Sequence, residues 1–208
     1  MTNNYNIDLE NIQKSYPTLI YEESSKTLKG QIRINKICND EIIKENYDIL
    51  IDFKNPKLPY VYELGKKVRR SYEHKYSDNR LCLATDIEQV LFLEEHKLIS
   101  RWITKYIESY FVSYEFFKRY GIYPFGEYSH GKAGILEFYR DYFSLQDENN
   151  SSKIIKYILT KKYRGHDLCP CGSNEKIRNC HKNIILRCKN DDNIKVLSEY
   201  YRRDINEK

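Results

Sequence analysis

"TLKGQIRIN" (Thr27–Asn35) and "YDILIDF" (Tyr47–Phe53) alternate apolar and polar residues. Leu28, Ile32 and Ile34 fall on one side of the first stretch, with Lys29, Gln31 and Arg33 on the other. In the second, Tyr47, Ile49, Ile51 and Phe53 stand opposite Asp48, Leu50 and Asp52. A period of two predicts half-buried strands. Downstream, "KNPKLPYVYELG" holds Pro56 and Pro59. Proline removes a ladder donor, so this stretch reads as a strand leaving the sheet, a turn and a short edge strand. Upstream, "NIDLENIQKS" reads as a short opening helix, with Ile7, Leu9 and Ile12 roughly on one side. Successive strands without helices between them predict an antiparallel meander.

From about Glu94 to Tyr120 the period changes. Leu98, Trp102, Tyr106, Tyr110 and Tyr114 recur every four residues, with Ile99, Ile103, Ile107 and Phe111 beside them. This predicts one long, largely buried helix stopped by Gly121. "YPFGEYSHG" is a turn-rich connection and "KAGILEFYRDYF" a second helix. "QDENNSS" (Gln146–Ser152) is a polar break and the expected domain boundary. "SSKIIKYILTKKY" reads as a linking helix that starts from a serine cap. A cysteine cluster follows, and "DDNIKVLSEYYRR" predicts a final helix. The class is α+β, and most of the 20 tyrosines read as core and rim.

Hydrophobic residues make up 40% and charged residues 31% of the 208 residues, a globular composition. No apolar run approaches the ~18–20 residues of a membrane span, so no membrane partner is expected. The start, Met-Thr-Asn-Asn-Tyr, lacks the basic stretch and apolar core of a secretory signal. A cytoplasmic location is expected, where clustered cysteines serve as metal ligands or nucleophiles more than as disulfides. The net charge of +5 is mild, and its bland reading is a mixed solvated surface. The tail is locally more basic, from Lys161 to Lys189.

Cys169, Cys171, Cys180 and His181 give the spacing C-x-C, eight residues, C-H. Four soft or borderline donors suit a tetrahedral Zn2+, and a closed four-ligand set leaves no open position for substrate, so the zinc is read as structural. A knuckle this small has almost no apolar core; metal–ligand bonds would supply on the order of 10 kcal/mol or more of its folding free energy. Pro170 stiffens the first pair and Gly172 permits the tight turn after it. "CPCGSNEKIRNCH" (Cys169–His181) resembles the SEC-C motif, C-P-C-G-S-G-x-K-x(3)-C-[CH], departing only at Asn174. The resemblance implies an attachment module for protein or ribosomal partners. Cys188 is the spare, read as a buried small hydrophobe.

Cys82 lies in "HKYSDNRLCLATD", after the strand-rich half and before the long helix. A lone cysteine between leucines is usually core. Context argues otherwise. A proline-marked edge strand, then a histidine, then eight positions on a cysteine in "LCL", then a long helix, resembles the ubiquitin-conjugating fold over roughly residues 5–145. It is closest to the bacterial ubiquitin-conjugating-like proteins encoded with anti-phage cyclic-oligonucleotide signalling (CBASS) operons. The segments that carry this are "P.VYE.G" (Pro59–Gly65), "H…LCL" (His74–Leu83) and "P.GEYSHG..GI.EFY" (Pro124–Tyr139). The resemblance implies a ubiquitin-conjugating-like sheet packed by helices over residues 1–148, with a linker helix, zinc motif and terminal helix over 149–208.

The resemblance further implies Cys82 as the nucleophile and His74 mainly as architecture; His130, just ahead of a helix start, reads equally as a group that orients the acceptor or supports the oxyanion and as a satisfied structural histidine. Asp78 and Asp86 are candidates for acting on an acceptor amine. Lys75-Tyr76 replace the Pro-Asn that follows the histidine in the eukaryotic enzymes, so Asn79 or a backbone N–H is left to take the asparagine's place. The implied reaction is a thioester between Cys82 and the carboxyl terminus of a partner protein, passed on to a lysine amine. The implied partner is the nucleotidyltransferase that makes the signalling nucleotide. Three other classes stand beside this one: a catalytically silent, zinc-tailed binding adaptor; a cysteine protease, for which His74 or His130 would supply the partner of the cysteine; and a nucleic-acid or ribosome adaptor led by the basic tail. The last ranks lowest, since no aromatic–basic recognition motif is present.

Overall fold

The computed structural model describes residues 5–147, 150–189, 196–197, 199–201 and 203–204. It forms two compact units, up to Glu127 and from Tyr128 onward. This division falls ahead of the polar break at 146–152, because the helix Lys132–Tyr142 packs with the helix that follows it.

The first unit opens with α1 (Leu9–Ser15). A four-stranded antiparallel meander follows in the order β1-β2-β3-β4: β1 Ile20–Glu22, β2 Thr27–Cys38, β3 Glu41–Asp52 and β4 Tyr60–Glu63. The alternating stretches are β2 and β3, in the register Leu28↔Ile51, Gly30↔Ile49 and Ile32↔Tyr47. Their apolar face is sealed: Leu28, Ile32, Ile34, Tyr47, Ile49 and Ile51 are buried. Both strands run on to a two-residue turn at Asn39-Asp40, where both residues have positive φ (48° and 63°), the geometry that matches strand twist in a tight hairpin. Gly30 is required where it stands, since a Cβ there would lie 2.0 Å from the Thr18 carbonyl oxygen.

Helices cover the sheet's inner face. The single long helix expected over 94–120 is two. Glu94–His96 close a separate helix, α2 (Asp86–His96), capped by the Thr85 hydroxyl accepting from the Glu88 N–H. Lys97 then turns left-handed (φ 57°) and Leu98 is extended, held by a bridge to Asn6. The chain re-enters helix as α3 (Ile99–Trp102), passes through a π-helical segment (Ile103–Glu108) and continues as α4 (Ser109–Tyr120), ending at left-handed Gly121.

The π segment explains the strict four-residue period. In an α-helix such a row drifts about 40° per step. A wider turn sets much of that drift back. Trp102, Tyr106, Tyr110 and Tyr114 therefore all stay buried. Two carboxylates on this helix are buried with partners: Glu108 with Lys36 (2.8 Å) and the Tyr16 hydroxyl (2.8 Å), and Glu115 with Lys118 (2.7 Å) and the Tyr47 hydroxyl (2.5 Å).

The second unit contains α5 (Lys132–Tyr142), α6 (Ser151–Thr160), one 3-10 turn (Ile177–Asn179) and α7 (Lys182–Cys188). Gly134 is needed because the Ser129 carbonyl sits 1.7 Å from where its Cβ would be, while Ser129 donates through both N–H and hydroxyl to Glu137 (2.7 Å each). Asn150, not a serine, occupies the cap of α6; Ser151 is already inside the helix and fully buried. Of the final helix expected over 191–203, residues 191–195, 198 and 202 lie outside the described residues, and 196–197 and 199–201 are helical. No helix among the described residues is long and apolar enough to cross a membrane.

The Tyr47 hydroxyl donates to a buried carboxylate, a class of bond worth about 1.5–3 kcal/mol. Tyr47→Phe should lower the stability of the first unit by that amount. Urea unfolding followed by the fluorescence of Trp102, the chain's only tryptophan and buried in this unit, measures it.

Candidate functional site

The residues between β4 and α2 form a second, smaller hairpin against the sheet edge. Arg80 bridges to Tyr62 of β4, and Leu81 bridges back to Lys75. The Leu81 N–H donates to the Val61 carbonyl (2.8 Å), the Tyr76 N–H to the Arg80 carbonyl (2.9 Å), and the Cys82 N–H to the His74 carbonyl (2.8 Å). Asn79, left-handed at φ 68°, lets the turn close, and the Arg80 N–H donates to Asp78 (3.0 Å). Cys82 thus leaves a paired strand four residues before α2 begins.

The loop is fastened from two sides. Glu63 of β4, buried, accepts from the N–H groups of Lys67 (3.1 Å) and Val68 (3.3 Å), with the Lys75 ammonium 3.9 Å away. Lys75 also donates to the Val68 carbonyl (3.1 Å). From the helix side, the tyrosines at four-residue spacing extend their hydroxyls. Tyr106 donates to Glu88 of α2 (3.3 Å), Tyr110 to the His74 carbonyl (3.1 Å) and Tyr114 to the Lys67 carbonyl (2.8 Å). The tyrosines read as core and rim are also the posts that hold the cysteine loop.

Cys82 is half-buried, while its neighbour Leu81 is core. It shares the wall of a narrow recess with Pro59, Tyr76, Arg80, Leu83 and Gln89. Tyr76 and Cys82 line the same recess, and the phenol lies on the side of the Cys82 sulfur that favours its thiolate. The Arg80 guanidinium is sandwiched between the Tyr60 ring (4.4 Å) and the Tyr76 ring (4.3 Å). Burial pushes the Cys82 thiol above its ordinary value, with Asp86 adding to that rise; the Tyr76 phenol and the Arg80 charge pull it down.

The other expected residues fall as follows. The His74 backbone carbonyl receives both Cys82 and Tyr110, and its ring lies 2.8 Å from Glu127 and edge-on to Tyr72 and Tyr123. Asp78 braces the turn. Asp86 opens α2 beside Cys82. His130 is exposed and belongs to the second unit. Sequence reading names Arg80 among the charges that could favour a thiolate, without showing which of them lie near, and misses Tyr76, whose only advance signal is its position inside the histidine-to-cysteine interval.

The family model of the type II CBASS E2 protein matches residues 8–131. The chain belongs to that family. No curated protein and no solved structure matches it. The matched segment contains Cys82 with its whole recess, while the cysteine knuckle of this E2-like CBASS chain lies beyond it.

In that knuckle the ligand atoms of Cys169, Cys171, Cys180 and His181 all lie within 4.8 Å of one another. His181 Nδ1 is 3.2 Å from the Cys169 sulfur and 2.9 Å from that of Cys180, and the Cys171 and Cys180 sulfurs are 3.6 Å apart. The other ring nitrogen, Nε2, faces the Phe143 carbonyl at 2.9 Å. A donor there fixes the tautomer that leaves Nδ1 free as a ligand. Three thiols and an oriented imidazole are the donor set of a structural zinc, and the residues fit that ion. Gly172 (φ 82°) and Asn174 (φ 62°) take the left-handed turn positions between the ligand pairs. Cys188 is fully buried, 3.6 Å from the Tyr142 hydroxyl.

Because burial dominates at Cys82, its iodoacetamide alkylation should be slower at pH 7 than that of an exposed cysteine. The rate should climb through a midpoint above the ordinary thiol value of about 8.5. Site-resolved mass spectrometry across pH checks this.

Proposed function

We propose that this E2-like chain is a cysteine acyl transferase of ubiquitin-conjugating type, working in CBASS anti-phage defence. The observation that carries the reading is Cys82: a half-buried thiol at a recess, its backbone locked to the His74 carbonyl, within the segment the family covers. In the proposed reaction the thiolate attacks the carbonyl carbon of an activated carboxyl terminus on a partner protein. The C–S bond forms, the carbonyl electrons move to oxygen, and collapse expels the activating group to leave a thioester. A lysine amine then attacks, the C–S bond breaks, and an isopeptide remains with the thiolate regenerated. His74 acts here through its backbone, as the post on which the cysteine strand is hung. The resemblance names the CBASS nucleotidyltransferase, through its carboxyl-terminal tail, as the partner.

On this reading residues 149–208 form the linker helix, zinc motif and terminal helix. Cys169, Cys171, Cys180 and His181 would hold the zinc, which when bound ties the knuckle together and takes no part in the chemistry. Its use is to present the knuckle's surface to a protein partner.

Two measurements test this. Co-expressed with the nucleotidyltransferase of its operon, the chain should form an adduct that thiol reductant removes, and Cys82→Ala should abolish it. An adduct that persists in Cys82→Ala removes Cys82 as nucleophile; no adduct with the wild-type chain leaves a zinc-tailed binding module. The purified chain should also carry one zinc by elemental analysis, and Cys180→Ser should lose most of it. A chain with no zinc contradicts the second assignment.

A further inference from the structure

We propose that Tyr76 and Arg80 are the donor pair of the Cys82 centre: the Tyr76 hydroxyl hydrogen-bonds the sulfur and then the oxyanion of the acyl group it attacks, while Arg80 holds that hydroxyl in place and supplies positive charge. The inference rests on the acyl-transfer reading and adds residues to it.

Geometry carries the argument. Tyr76 and Arg80 occupy the same small hairpin as Cys82, and all three line one recess. The Tyr76 N–H is bonded to the Arg80 carbonyl (2.9 Å), so the two side chains leave facing positions of the turn. Arg80 lies flat between the rings of Tyr60 and Tyr76, which fixes both the guanidinium and the Tyr76 ring it stacks on. The Arg80 Nε is buried and without a protein partner among the described residues. A buried donor left without an acceptor costs free energy, and an acyl oxygen arriving at the recess would relieve that cost. Tyr76 and Cys82 line one recess, so an oxyanion formed on the acyl carbon, two bonds from the sulfur, falls beside the phenol.

The charged and titratable groups facing the thiol come from three elements. Tyr76 and Arg80 lie on the hairpin, Asp86 at the start of α2, and Tyr110 on α4. Tyr110 is committed to the His74 carbonyl and Asp86 opposes the thiolate. Tyr76 and Arg80 are therefore the groups placed to favour negative charge.

The test uses the full chain, with iodoacetamide and p-nitrophenyl acetate as probes, both read at Cys82 by peptide mass spectrometry. Tyr76→Phe keeps the ring on Arg80 and removes only the hydroxyl. Its alkylation profile should move to higher pH, with the rate at pH 7 falling about ten-fold. Arg80→Met should shift the profile in the same direction. Acetylation by p-nitrophenyl acetate joins sulfur to the acetyl carbon and expels p-nitrophenolate. In Tyr76→Phe it should be slower by a factor on the order of 10² even above the thiol midpoint, where ionisation no longer limits the rate.

Profiles that superimpose on wild type, in variants whose Trp102 fluorescence shows an intact first unit, overturn the pair. A pH shift with unchanged acetylation above the midpoint overturns the oxyanion role. Neither result touches the adduct test of Cys82→Ala, and a failure of that test leaves the alkylation comparison readable.

Discussion

The geometry of the site depends on a row of tyrosine hydroxyls projecting from one helix. Tyr106, Tyr110 and Tyr114 reach α2, the His74 carbonyl and the Lys67 carbonyl respectively. An unbroken α-helix would swing a four-residue row off its target within a few steps. The π segment at Ile103–Glu108 keeps the row aligned, and the sheet's apolar face holds the helix in place. Buried hydroxyls must find acceptors, and here they find the backbone of an otherwise irregular loop. The loop that holds Cys82 is fastened by these bonds together with the buried side chains of Val68, Tyr72 and Leu81.

On the opposite side the buried Glu63 does the same work with a charge. Its carboxylate gathers two backbone N–H groups and lies near the Lys75 ammonium, so the loop after β4 folds back toward the sheet edge. Removing one partner of such a buried group is far more costly than the pair's net contribution. Lys75 brings its ammonium near Glu63, and Tyr76, the next residue, lines the recess of Cys82.

The strand faces were legible in sequence because a period of two with one apolar side has few alternatives, and β2 and β3 follow it. The break between α2 and α3 was not legible. It rests on Lys97 adopting a left-handed conformation, with no glycine or proline to mark it, and the four-residue row begins at Leu98, on the break itself. The tight turn at Asn39-Asp40 was legible and went unread. At the site, the spacing of Cys169, Cys171, Cys180 and His181 foretold their convergence, because ligands so close in sequence need only one turn. The neighbours of Cys82 were hidden because the hairpin pairing that brings Tyr76 and Arg80 to it is tertiary, fixed by β4 and the helix tyrosines. Asn79 takes the left-handed position that closes the turn, a role asparagine tolerates better than most residues.

The cysteine loop owes its order to these hydroxyl posts. Hydrogen exchange in a Tyr110→Phe/Tyr114→Phe double variant tests this. Exchange at the amides of Leu81 and Cys82 should speed up by at least ten-fold, while those along the β2–β3 ladder stay as slow as in the wild-type chain. Unchanged protection at Leu81 and Cys82, or an equal loss across the whole sheet, would contradict the account.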